Sequence, residues 1–169
     1  MNWLVIVLRI VHILAGVFWV GSAAFNSLFL GPAVGATAEA GQKVMAHLVT
    51  RARLAARISA AAGLTVLAGG ALYWIDSQGL TSLWTQSGPG TGFGLGALFA
   101  LVGLVFGIIV GRDMSALVTT ASQISGKPTP QQLGKIQAAQ QQLAYAGPAN
   151  TIALVVALLC MATARYWVF

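Results

Sequence analysis

The chain has 169 residues, of which 57% are hydrophobic and 7% charged, and its formal net charge is +6. Its mean hydropathy is +0.81. Such a composition leaves too few polar residues to cover a water-facing surface, which excludes a soluble enzyme and a disordered binder; a single cysteine excludes a disulfide scaffold. What remains is an integral membrane protein.

A helix needs about 20 mostly apolar residues to cross roughly 30 Å of hydrocarbon. Four stretches meet or approach that length: 3–30, 58–75, 91–111 and 147–168. Ser22-Ala23-Ala24 resembles a small-residue cleavage site, but the apolar run continues through Phe29 and Leu30, so the first stretch reads as a membrane helix. The expected fold is therefore all-α, one membrane domain over residues 1–169, built as an antiparallel bundle of four transmembrane helices.

Lys43, Arg51, Arg53 and Arg57 fall between the first and second stretches, and Arg112, Lys127 and Lys135 between the third and fourth. The segment 76–90 has no basic residue. Because Lys and Arg concentrate in cytoplasmic connections, both termini are expected outside, in a multi-pass protein of the cell (cytoplasmic) membrane. Arg9 and Arg165 lie within two turns of an outer end and can snorkel to the headgroups. Topology and anionic lipid account for the net charge, so the basic pI is not read as nucleic-acid binding.

Helix one carries Arg9, His12, Gly16, Trp19, Ala23 and Asn26 at spacings of three and four, an arc of roughly 100°. Polar groups are costly in hydrocarbon, so this arc is the expected inward face, with His12 near mid-membrane. A neutral imidazole there could ligate haem iron; equally it could make an interhelical hydrogen bond to Asn150, Thr65, Ser59 or a backbone carbonyl.

The connection after helix one places Val44, Leu48, Leu54 and Ile58 along one side of an Ala-rich segment expected to run continuously into helix two. His47, the second histidine, is expected at the cytoplasmic interface, far from His12 in height. A haem shared between the two would require helix two to enter the membrane early. Met45 and His47 form a Met-x-His pair, a soft set that could hold Cu(I). Beyond helix two, Leu80 to Trp84 reads as an interfacial anchor.

Helix three has no charge and carries Gly92, Gly96, Gly103, Gly107 and Gly111 on one arc. Such a seam suits close helix packing, or else, at Gly96 and Gly103, a flat groove for a macrocycle or quinone beside His12. Asp113 reads as a local partner of Arg112. In the next connection Ser125-Gly126-Lys127-Pro128 is a breaker, while Thr129, Pro130 and Gln132 announce a capped helix. A short Gln-rich helix is expected to end near Tyr145, with Gly147-Pro148 restarting the chain into helix four. Cys160 reads as an inert buried thiol, and Trp19, Trp74, Trp84 and Trp167 as belt or packing residues. The sequence has no phosphate-binding loop, nucleophile triad or paired-carboxylate site.

The segment Val11-His12-Ile13-Leu14-Ala15-Gly16-Val17-Phe18-Trp19-Val20-Gly21 resembles the His-x(6)-Trp-x-Gly element of a superfamily that includes the CopD-type copper-resistance proteins and the HemJ-type protoporphyrinogen oxidases. Arg57 to Gly70 in helix two and Gly147 to Thr151 at the last helix extend the likeness. The resemblance implies redox or copper-related work, with His12 at the position of the haem-associated histidine of the oxidase branch. That branch has a lysine near the start of helix three where this chain reads Gly92-Phe93-Gly94-Leu95-Gly96, so the porphyrinogen oxidation is not carried over. The copper branch implies a copper-delivering partner and outer metal ligands, for which this chain offers little beyond Met1.

The expectation is thus a small b-type haem protein working in electron transfer or redox chemistry. His12 is its axial ligand, and Arg9, Trp19, Gly96, Gly103 and Arg57 are cofactor-binding residues. His12 and His47 are the metal ligands considered, with copper as the other metal. The alternatives are a non-catalytic accessory subunit packing against other membrane subunits or further copies of itself, and a copper-handling membrane protein. The bilayer is the expected partner throughout, and nucleic acid is not.

Overall fold

The computed structural model describes residues 2–169, apart from the side chain of Ser82. Met1 lies outside the described residues. Among these residues all regular structure is helical. The main elements are α1 (Trp3–Phe25), α2 (Gly31–Ala36), α3 (Ala38–Thr50), α4 (Leu54–Asp76), α5 (Ser82–Thr85), α6 (Gly88–Ser122) and α7 (Pro130–Thr163). Four helical stretches are long and apolar enough to cross a membrane: Trp3–Ala36, Leu54–Asp76, Gly88–Ser122 and Pro130–Tyr166.

These stretches form two antiparallel pairs, α1 on α4 and α6 on α7, joined by lighter contacts of α4 with α6 and of α1 with α7. Trp19, Ala23, Ala61, Ala62 and Leu154 make the core where the pairs meet. Arg9 stands beside Asp76, Tyr73 donates a hydrogen bond to the Gly90 carbonyl, and Gly88 abuts Trp167. Both termini therefore lie at one end of the bundle. The other end holds α2, α3 and the α6–α7 turn. At 1.5 Å per residue the 35 residues of α6 span roughly 52 Å, well beyond what hydrocarbon requires, so the α6–α7 hairpin extends past the bundle toward the basic end.

Local chemistry sets the helix boundaries, and it corrects three of the sequence expectations. Helix one does not stop at residue 30 but continues into α2 through a π turn, Asn26–Leu30. Pro32 lacks the N–H that would bond residue 28, and just before it the Gly31 N–H reaches back five residues to the Asn26 carbonyl. Next, α3 does not run into α4: it ends at Thr50, and Arg53 adopts a left-handed conformation (φ 50°, ψ 43°). That reversal lets α3 contact α6 as well as α4, with Gly41 and Met45 buried. Finally, Gly147-Pro148 does not restart the chain, because α7 is a single helix with Pro148 inside it. Gly147 has no Cβ to clash with the proline ring, and burial of Ala139, Ala146, Asn150 and Ala153 on both sides of the proline holds the axis.

The start of α7 follows its sequence signal closely. Thr129 Oγ1 accepts from the Gln132 N–H at 3.2 Å, and Gln132 Oε1 accepts from the Thr129 N–H at 2.9 Å, a reciprocal capping box with Pro130 at the first helical position.

Candidate functional site

From His12 to Asn26 the polar arc of helix one faces inward, while Arg9 is exposed. Trp19 is 2% exposed and Ala23 is buried, whereas Ile10, Ile13, Leu14, Val17 and Phe18 on the other side are exposed. His12 is half-buried in the α1–α4 seam, where its Nδ1 lies 2.8 Å from the Thr65 carbonyl oxygen. A carbonyl only accepts, so Nδ1 carries the proton and donates, which leaves the lone pair of the neutral ring on Nε2. Nε2 has no hydrogen-bond partner among the described residues.

The ring is also pressed onto the backbone of α4. A Cβ added at Gly69 would sit 2.7 Å from His12 Cε1 and 2.8 Å from Nδ1, closer than real Cβ contacts come, so glycine is what admits the ring. Thr65 completes the seat by donating its hydroxyl to the Ala61 carbonyl at 2.8 Å, and its methyl faces Gly16. Gly69 escaped sequence reasoning, which attended to the glycines of helix three; its signal is a glycine pair, Gly69-Gly70, in the middle of an apolar helix.

The remaining candidates are dispersed. Arg9, one turn before His12, is exposed and lies 3.9 Å from Asp76. Trp19, two turns beyond His12, belongs to the buried core. Gly96 and Gly103 do not face His12, since α7 covers them: a Cβ at Gly96 would meet Met161 Cγ at 2.6 Å, and one at Gly103 would meet Leu154 Cδ2 at 2.6 Å. Arg57 is exposed near the start of α4, about two turns below Thr65 and three below Gly69. His47 is exposed on α3 while Met45 is buried, so the Met-x-His pair diverges. Among the described residues no group of three or more His, Cys, Asp or Glu side chains converges on a point.

A second polar region lies nearer the basic end. Asn26 donates to Met114 Sδ at 3.7 Å, while its Oδ1 is buried without a hydrogen-bond partner. Asn150, 6% exposed, likewise has an unpartnered Oδ1. Its amide lies against the seam of α6, 3.6 Å from where a Gly103 Cβ would be. Asn150 thus does not pair with His12, for which the sequence had offered it as a partner.

Comparison with known proteins adds no relative: no protein-family model matches, and searches of curated proteins and of solved structures find none that do.

Proposed function

We propose that this chain is a multi-pass protein of the cytoplasmic membrane that binds a b-type haem through His12. The observation that carries the reading is the 2.8 Å contact of His12 Nδ1 with the Thr65 carbonyl, which occupies one ring nitrogen and leaves Nε2 free. Haem- and metal-ligating histidines are commonly oriented in this way, by a carbonyl or carboxylate at the other ring nitrogen. A polar side chain inside a membrane helix is costly, so its retention at mid-helix points in the same direction.

Part of the expected ligand set fits. His12 would hold the group through Nε2, the Thr65 carbonyl and Gly69 hold its ring plane, and Arg9, one turn away, would offer its guanidinium to a propionate. Gly96 and Gly103 do not contribute, because α7 fills their seam, and Arg57 is too far along α4. Bound at His12, haem would supply one-electron transfer; the protein's own part is to fix the ring, exclude water with the α1–α4 seam and set a low-dielectric surround. The four apolar stretches lie across the bilayer, with seven basic residues at the cytoplasmic end and both termini outside, in keeping with the distribution of Lys and Arg.

Oxidised and dithionite-reduced absorption spectra of the protein, purified in mild detergent from haem-replete cells, test this reading. The expected result is a Soret band that shifts on reduction and disappears in His12→Ala. Colourless wild-type protein would overturn it and leave His12 as a hydrogen-bonding residue of a packing subunit.

A further inference from the structure

The region around Asn26 and Asn150 is separate from His12, and its geometry stands without any cofactor. At the level where α1, α4, α6 and α7 converge there is a cavity of about 70 Å³ with a mostly apolar lining, Trp19 at its upper end, and Ser22, Asn26, Ser59 and Asn150 as its polar side chains. Two of those side chains present buried amide oxygens that no protein group satisfies, and Asn150 is more than nine-tenths buried. Several Ser and Thr hydroxyls in these helices bond back to their own turn, as Thr50, Thr65, Ser115 and Thr163 do. No such bond occupies Ser22 or Ser59, so their hydroxyls remain available to whatever fills the space.

Size and chemistry together limit the occupant. The cavity has room for a few waters, and amid its apolar lining it offers two amides and two hydroxyls where a buried water needs about two to four partners. A bare cation is disfavoured by the basic residues gathered at this end. The lower side of the cavity shares Ala55, Ser59, Gly107, Ile108 and Gly111 with a groove between α4 and α6 that reaches Arg112. Apart from Ile108 the shared side chains are small, and Arg112 marks where the groove reaches the headgroups.

We propose that this cavity is a water-filled vestibule, open to the basic end of the bundle through the α4–α6 groove and sealed above by Trp19. Solvent enters the membrane domain from that side as far as Asn26 and Asn150. Water and protons follow the same route. His12, two turns above Trp19, stays on the dry side.

Thiol accessibility tests this directly. In a Cys160→Ala background reconstituted in lipid nanodiscs, which expose both faces, single variants Ser59→Cys, Ser22→Cys, Gly16→Cys, Leu67→Cys and Ser125→Cys are treated with hydrogen peroxide, a hydrophilic reagent close to water in size, and the labelled (oxidised) fraction is read by intact mass. In each event the cysteine thiolate attacks one peroxide oxygen, the O–O bond breaks, and the sulfenic acid forms with loss of hydroxide. Ser59→Cys and Ser22→Cys should label within about tenfold of the surface position Ser125→Cys, because thiolates form in water. Leu67→Cys, on the exposed apolar face (74% exposed), and Gly16→Cys, above Trp19, should label at least about a hundredfold more slowly. Adding Asn150→Leu should slow Ser22→Cys about tenfold by filling the space. Unreactive Ser22→Cys, Gly16→Cys as fast as Ser22→Cys, equal rates at Leu67→Cys and Ser59→Cys, or no effect of Asn150→Leu would each overturn the proposal. None of these readouts depends on haem.

Discussion

The two helix pairs solve the same problem by opposite means. In the α6–α7 pair, glycine after glycine lets backbone meet side chain or backbone. A Cβ at Gly92 would fall 2.8 Å from Ala164 Cβ and 2.9 Å from its Cα, and Leu154, 1% exposed, inserts over Gly103. In the α1–α4 pair the buried residues of α4 are Ala61, Ala62, Thr65 and Ala68, and the directed contact is where His12 lies on Gly69 and bonds the Thr65 carbonyl. A bilayer gives apolar helices no hydrophobic drive to associate, so dispersion along a glycine seam serves one pair, and in the other a directed polar contact is added to it. The first pair presents backbone to its partner, the second a ring nitrogen.

That contrast breaks most visibly at Gly92. Gly92→Val forces a branched side chain against the Ala164 backbone, which no rotamer relieves, and should cost about 3 kcal/mol or more as α6 is pushed from α7. The half-buried Cys160 is the lone thiol, so a fluorogenic thiol dye followed during heating reads the loss as a lower Tm. An unchanged Tm would show that the seam is not what joins this pair.

In the other pair the expected cost is smaller and the functional effect larger. His12→Ala removes one interhelical hydrogen bond, worth about 0.6 to 1.7 kcal/mol in a membrane, and should abolish the haem spectrum altogether. Gly69→Ala presses on the His12 ring without deleting it; about 1 kcal/mol of stability and a displaced Soret maximum are expected, because the ring can yield by a few tenths of an ångström. If Gly69→Ala leaves the spectrum untouched while His12→Ala erases it, the ring is not held by this contact. The smallest effect belongs to Asp76→Asn. Its partner Arg9 is 3.9 Å away and both side chains are well exposed, so the Tm change should correspond to less than about 0.5 kcal/mol.

Much of the architecture was legible because it rests on local signals. The Thr129–Gln132 box, the four apolar stretches and the inward arc of helix one from His12 to Asn26 depend on residues within one or two turns of each other, and the structure reproduces each of them. The partner of His12 was narrowed to a few groups, of which the Thr65 carbonyl is the one engaged. The misses share a physical cause. Gly147-Pro148 reads as a break, and Arg51 to Arg53 as a continuous helix, only when tertiary contacts are ignored: packing against α6 holds the first straight and folds the second back. The π turn before Pro32 is a compensation that composition does not signal. Likewise Asn26 and Asn150 lie more than a hundred residues apart, and nothing in either segment announces that one cavity unites them.

Placing both chain ends at one end of the bundle has a consequence for how such a domain is duplicated or joined to others. With an even number of crossings, a second copy fused after Phe169 would begin on the face where the first began, and would insert in the same orientation. Tandem or associated copies would thus be related by an axis along the membrane normal, not by the in-plane axis that relates inverted repeats. In such an array every His12 would sit at one depth.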